Sequence, residues 1–307
     1  MLVTWSGPDD TDNPKNWAKG RKWRTVLAVS GFVLMSPLST TIVAPALDVI
    51  ADELHVTSAW EKVMILSLFM LGFALGPLFI CPISEILGRI RVLQTFNLGY
   101  LVFNTACGGS QTGLQILVLH FLSGLFGSCS VGIGAGTLGD MFESHERGKA
   151  MAVYSVAPPI GPVLGPIMRG FLTTRVLWRW VFYLTSIMDA LVQIWALFFL
   201  EESYAPVLLR RKRDKLQAAS SGSNLPVVYY TEHDLPEGSK MEVVRVNMIR
   251  PFKMLGTQIV IQVALVESND LDDSLGAQHL ERADQVSSHD LHFRTLGEMI
   301  LSVINYR

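Results

Sequence analysis

Between Thr25 and Leu200 the apolar residues run in long stretches, and the charged residues fall at intervals between them. A helix needs about 20 predominantly apolar residues to cross a bilayer. Six stretches reach or approach that length: 25–47, 62–82, 92–109, 114–138, 150–172 and 180–200. They show almost no polar face at helical period, which excludes a soluble amphipathic bundle. The pattern predicts an all-α integral membrane protein. A polar tail, residues 1–24, precedes the six-helix region over 25–200, and a polar loop, 201–250, follows it. The final part, 251–307, opens with "RPFKMLGTQIVIQVAL" across the boundary, an apolar run of about a dozen residues that is too short for a span. It then turns acidic and polar.

Basic residues give the expected orientation. Lys15, Lys19, Arg21, Lys22 and Arg24 precede the first span, Arg89 and Arg91 lie between spans two and three, and Arg147 and Lys149 between four and five. "RRKRDK" follows span six at 210–215. The opposite turns hold Lys62, then no basic residue around "GGSQTG", then Arg175 and Arg179. The excess of lysine and arginine on one side places the N-terminus and the central loop in the cytoplasm. The polar start, "TWSGPDDTDNPKNW", has no cleavable apolar region. Composition fits this picture: half of the 307 residues are hydrophobic, and the mean hydropathy is +0.34. The three cysteines, Cys81, Cys107 and Cys129, fall inside spans, as buried thiols do.

Several motifs occur in order. "CPISEILGRIRVL" (81–93) puts Glu85, Gly88 and Arg89 at the turn between spans two and three. By itself this is a glycine turn with inward-side arginines. In company with "GDMFESHERGKAMAVYS" (139–155) and "APPIGPVLGPIMRGFL" (157–172) it resembles the signature loops and the fifth-helix antiporter motif of the major facilitator superfamily. "NPKNW", "WRWVFYLTSIMDA" and "FFLEESYAPVLLRRK" extend the similarity to the fungal drug:proton antiporters of that superfamily, from about residue 10 to residue 265. The resemblance implies the superfamily's fold, here its N-terminal six-transmembrane-helix half. It also implies export of small lipophilic compounds (drugs, toxins or secondary metabolites) across the plasma membrane, driven by a proton gradient with no cofactor. A second six-helix half would complete the fold, and a truncated or mis-spliced gene model would explain the abrupt polar ending. The alternative is a non-transporting membrane protein or a regulatory half-transporter.

By the same resemblance, Glu85 and Arg89 would bridge to the other half and hold the outward-facing state, with Ile86 where the family has a basic residue. Asp140, Arg147 and Gly148 belong to the related loop. Gly161, Pro162, Gly165 and Pro166 would form the bend that seals the outer side, either in coupling or in packing alone, with the glycines giving a smooth contact face. Arg169 stands where a further glycine is usual. His120 stands where the family places an intramembrane arginine. It is either the proton-sensitive group or a substitution that weakens coupling.

Three further readings come from the residues themselves. Asp189, near the middle of span six, is either a proton carrier or substrate counter-ion, or a structural acid bonded through Asn97 or Asn104 of span three. Ser36, Thr40 and Thr41 in "SPLSTTIVAPAL" suggest a broken first helix facing a cavity. Gly124, Ser128, Gly132 and Gly136 make a small-residue packing stripe. The chain shows no phosphate-cradling loop, no spaced Cys/His metal set and no Ser/His/Asp arrangement, so transport is expected rather than catalysis. The 210–215 cluster is read as a topology signal or an anionic-lipid contact, not a nucleic-acid patch. In a cysteine-free background, single cysteines at Ser110 and Ser221 are predicted to react from opposite sides of the membrane. Labelling of both from one side would refute the topology.

Overall fold

The computed structural model describes residues 1–7, 10–56, 58–172, 178–220 and 229–231; the side chains of 59 and 166–172 lie outside that description. The sequence expectations for 221–228 and 232–307, including the incomplete seventh helix, therefore fall outside the described residues. The chain divides into two units, Met1–Glu237 and Gly238–Arg307, and everything below concerns the first.

Nine α-helices occur among the described residues. They are α1 (Lys19–Val43), α2 (Leu47–Glu53), α3 (Ala59–Leu87), α4 (Arg89–Gly108), α5 (Gly113–Gly127), α6 (Cys129–Met141), α7 (Ser144–Leu172), α8 (Arg179–Phe199) and α9 (Ala205–Ser220). Each expected span lies on one long helix or, for span four, on the pair α5 and α6 joined at Ser128. Among the described residues, four helical stretches are long and apolar enough to cross a membrane: Lys19–Glu53, Trp60–Leu87, Gly113–Met141 and Arg179–Phe199. The helix α4 falls short on composition. In α4 the reason is visible, because Gln94, Asn97 and Asn104 replace apolar residues and bond inward.

Two details differ from the sequence reading. The helix of span one starts at Lys19 rather than near 25, so its basic residues sit on its first turns; lysine and arginine are good helix formers and nothing interrupts them. Nor is that helix broken at Pro37. It runs through the proline to Val43, and only Ala44–Ala46 tighten into a 3-10 turn before α2. The hydroxyls once expected in a cavity are spent internally: Ser36 donates to the Gly127 carbonyl (3.2 Å), Ser39 to Asn104 (3.2 Å) and Thr40 to the Pro37 carbonyl (2.9 Å).

Packing pairs α1 with α7 and α8, α3 with α5, and α4 with α5 and α8. Small residues set these contacts. A Cβ on Gly124 would lie 3.0 Å or less from the backbone of Phe69, and one on Gly132 would strike the Cys81 sulfur at 2.6 Å. Gly124, Ser128 and Gly132 of the stripe therefore lie flat against α3, and Gly136 faces the Arg89 side chain. Between α4 and α8 the contact is polar. Asn104 donates to Thr185 and Ser186 (2.9 Å each), Asn97 donates to Asp189 (3.1 and 3.2 Å), and Gln94 donates to the Ala196 carbonyl (3.2 Å).

Outside the bundle, Leu2–Val3 pairs in parallel with Tyr230–Thr231. Asn13 caps the 3-10 turn Pro14–Asn16, accepting from the Lys15 amide. That turn is the "NPKNW" stretch, and it delivers Trp17 under the Arg21 guanidinium, 3.8 Å from the ring centre.

Gly124→Leu should overpack the α3–α5 contact and lower stability by about 1–3 kcal/mol, read as an earlier thermal melt of the detergent-solubilised chain; an unchanged melt would mean the close approach is not real. The topology experiment also gains a better site, because Ser110 is buried and donates to the Cys107 carbonyl, whereas Thr112 is exposed at the same turn.

Candidate functional site

The strongest convergence of motif residues is at one end of the bundle, where α3 meets α4 and α6 meets α7. Gly88 ends α3 and begins α4, with φ +104° and ψ 144°. This left-handed backbone reverses the chain in a single residue and favours glycine. A Cβ there would also clash with the Glu202 carboxylate. Glu202 Oε1 accepts from the Arg89 amide (3.1 Å) and the Tyr204 amide (3.2 Å), so it fastens the chain beyond α8 to the turn.

The Arg89 side chain passes Gly136, where any Cβ would collide with its guanidinium, and reaches Asp140. Its Nε lies 2.5 Å from Asp140 Oδ2, and its Nη2 lies 3.5 Å from Oδ1. Tyr204 covers the guanidinium at 5.0 Å. Arg147 donates to the Gly139 carbonyl (3.1 Å), fixing the start of α7 against the end of α6. Gly148 has open space where a Cβ would stand. Nearby, Lys22 donates to the Lys15 carbonyl (2.6 Å) and lies 4.0 Å from Glu146, while Arg21 pairs with Glu201. Asp10 accepts from the Ser6 and Asp12 amides and pairs with Lys212 (3.1 Å), which holds its carboxyl down to about 2.

Glu85 stands apart. No hydrogen bond or ion pair to it occurs among the described residues, and it is half-buried at the end of α3. Arg89 is joined to Asp140 and not to Glu85.

The remaining candidates lie inside the half. Gly161 and Gly165 are buried against α1: a Cβ on Gly161 would meet Pro37 and the Leu38 amide at 2.8 Å, and one on Gly165 would meet Thr41 at 2.7 Å. The smooth contact face expected of these glycines is filled by α1. Pro162 is half-buried on the same helix. The side chains of Pro166 and Arg169 lie outside the described set. His120 is fully buried, with Nδ1 donating to the Ile65 carbonyl (2.8 Å) and the ring between Phe69 (4.8 Å) and Phe182 (5.8 Å). Its Nε2 meets no hydrogen-bonding group among the described residues. Asp189 is likewise fully buried and is bonded to Asn97, one of the two asparagines anticipated for it. Asn104 serves Ser39 and α8 instead. No group of three or more His, Cys, Asp or Glu among the described residues is placed to hold a metal.

Glu202 and Tyr204 were not anticipated as part of this site. Their signal was present in "FFLEESYAPV", a motif quoted for its similarity without a role for its acid. The turn geometry of Gly88 supplies that role.

Residues 29–262 match the Major Facilitator Superfamily profile. The chain belongs to that superfamily. It is 39% identical over 261 residues to an uncharacterized transporter of Schizosaccharomyces pombe, covering 85% of this chain and 52% of that protein. It is 40% identical over 264 residues to the efflux pump vrtL of Penicillium aethiopicum, covering 85% and 50%. Among solved structures, the proton:xylose symporter XylE with a bound bromodeoxyglucose superimposes at a TM-score of 0.56 with 13% identity, covering 88% of this chain and 57% of that one. That last likeness shows the fold alone. The chain spans about half the length of the curated relatives it matches. The superfamily and the names of these relatives point to transport rather than catalysis.

The Arg89–Asp140 pair is partly buried, with side chains 13% and 21% exposed. Removing one partner of a buried pair costs about 3–5 kcal/mol, and less where water reaches it. Asp140→Asn should therefore destabilise the chain by about 1–3 kcal/mol, whereas Glu85→Gln should leave its thermal melt unchanged. Equal effects of the two substitutions would contradict the pairing.

Proposed function

We propose that this chain supplies the first half of a proton-driven exporter of small lipophilic compounds, residing in the plasma membrane with its N-terminus and central loop in the cytoplasm. The observation that carries the proposal is the contrast at the Gly88 turn. Three charges there are tied within the half: Arg89 to Asp140, Glu202 to two amides, Arg21 to Glu201. Glu85 and the exposed Arg91 have no such tie among the described residues, and of the two only Glu85 is half-buried. An acid left half-buried at a helix end suits a partner that comes from a second six-helix body, where it would stabilise a helix N-terminus in one conformation of the transporter. The concentration of lysine and arginine at this end supports the cytoplasmic assignment. The efflux-pump name of a relative supports outward transport.

A competing reading, a non-transporting or regulatory half, draws on His120. Its ring is packed between aromatic residues with a single carbonyl partner, where the resemblance leads one to expect a permanent cation. Arginine stays charged in such a place, and histidine does not have to.

In the preferred reading, substrate sites form between two halves that rock against each other. The 307-residue chain reconstituted alone is then expected to show no pH-gradient-driven efflux of a lipophilic dye from vesicles. When joined to a second six-helix half it should show such efflux, and Glu85→Gln in that longer protein should shift the population toward inward-facing, read by cysteine accessibility. Saturable efflux by the lone chain that collapses with the gradient would instead make two copies of it the transporter. Absence of efflux from the joined protein would favour the regulatory reading.

A further inference from the structure

At the basic end of the bundle, the N-terminal tail, the first turn of α1 and the helix α9 enclose a cleft of about 470 Å³. Its size suits a small-molecule or headgroup ligand, for which sites of about 300–1,000 Å³ are usual. Most charges in its wall are already committed. Arg21 pairs with Glu201 and stacks on Trp17, Glu202 serves the Gly88 turn, and Lys212 is held by Asp10. Three are not. Arg211 and Lys215 have no hydrogen-bond or ion-pair partner among the described residues, and neither does the Asp12 carboxylate. Arg211 and Lys215 are four residues apart on α9 and so lie on one face of it. Trp5 and Trp17 add indole surface to the same wall.

The depth of the cleft is set by its neighbours. On α8, Trp195 (46% exposed), Phe198 (79%) and Phe199 (37%) face outward, as does Trp23 (36%) on α1. Outward aromatic residues at helix ends mark the membrane–water interface. Arg24 lies 5.5 Å over the Phe199 ring, and Arg21, which lines the cleft, precedes it by about one turn. The cleft therefore sits just outside the aromatic belt, at the level of lipid headgroups.

We propose that the cleft binds the phosphorylated polyol headgroup of an anionic membrane lipid. Arg211 and Lys215 meet the phosphate, since guanidinium and ammonium groups are its usual partners. The Asp12 carboxylate accepts from ring hydroxyls, which a phosphate without hydroxyls could not offer it. The indoles lie against the apolar C–H face of the ring. The proposal rests on the chain being embedded in a membrane and not on which compartment the basic end faces, so its failure and a failure of the orientation are separate events.

The test is titration of fluorescently labelled phosphatidylinositol 4-phosphate into the full chain in neutral detergent micelles. Saturable binding of one lipid per chain is expected. R211Q/K215Q should weaken it by about ten-fold or more. R210Q/R213Q makes the same change in net charge on α9 and should weaken it by less than about three-fold. Thermal melts confirm that each variant is folded. Phosphatidylserine and phosphatidylethanolamine should compete poorly, and soluble inositol 1,4-bisphosphate should bind more weakly than the lipid. Equal losses in the two double variants would overturn the site in favour of bulk charge attraction. Equal competition by phosphatidylserine or phosphatidylethanolamine would overturn the polyol assignment. Equal binding of the soluble headgroup would overturn the lipid as its source.

Discussion

Lipid tails surround leucine as favourably as another helix does, so apolar burial alone gives membrane helices no reason to associate. What remains is close backbone approach and the satisfaction of polar groups that lipid cannot solvate. Both are visible here, and they divide the work. The α3–α5 contact is built on absent side chains: Gly72, Gly76 and Gly124 leave no room for a Cβ. The α4–α8 contact is built on amides, hydroxyls and one carboxylate, from Gln94 and Asn97 to Asn104 and Asp189. In hydrocarbon each unmatched group costs several kcal/mol, so every member of that seam is held in register by its opposite. The helix α4 can then be less apolar than its neighbours and still sit inside the bundle.

The same rule explains the basic end. A one-residue reversal at Gly88 leaves the first amides of α4 without intrahelical acceptors. Glu202 supplies one from beyond α8, and the chain after the last span is thereby bound to the turn between spans two and three. Arg89, emerging from that turn, crosses Gly136 to reach Asp140, so the glycine is the opening through which two helical hairpins are tied. The polar tail takes part as well, through Arg21 with Glu201 and Asp10 with Lys212. Residues 201–220 are accordingly fixed to the half that precedes them.

Much of this was legible in the sequence. The hydrophobic runs located the helices because span length is a physical requirement, and Gly124, Ser128, Gly132 and Gly136 announced a packing face through spacing alone. Asp189 could be assigned a partner on span three because a buried acid must have one. What could not be read was which of several admissible partners each polar group takes. Ser36, Ser39 and Thr40 looked like cavity residues, yet they bond within the half, because a hydroxyl on a membrane helix finds its nearest acceptor whether or not a cavity exists. Gly161 and Gly165 looked like a smooth contact face, and Pro37–Thr41 of α1 fill it. Sequence periodicity gives the face of a helix but not its occupant.

These internal ties bear on how such a half can move. Deforming the α4–α8 seam would expose buried amides and a carboxylate to lipid, and parting α7 from α1 would open the contacts at Gly161 and Gly165. Either change is costly in a medium that offers no hydrogen bonds. Motion within the half is thus opposed by the same interactions that assemble it, and the inexpensive motion is displacement of the six helices together. A device that senses such a displacement has to sit where the half ends and to be unsatisfied by the half itself. Asp189 and His120, enclosed on all sides, do not qualify by position. Glu85 is a half-buried acid one turn before the Gly88 reversal, beside a pair that already neutralises Arg89, and by position it meets both conditions of the proposed role.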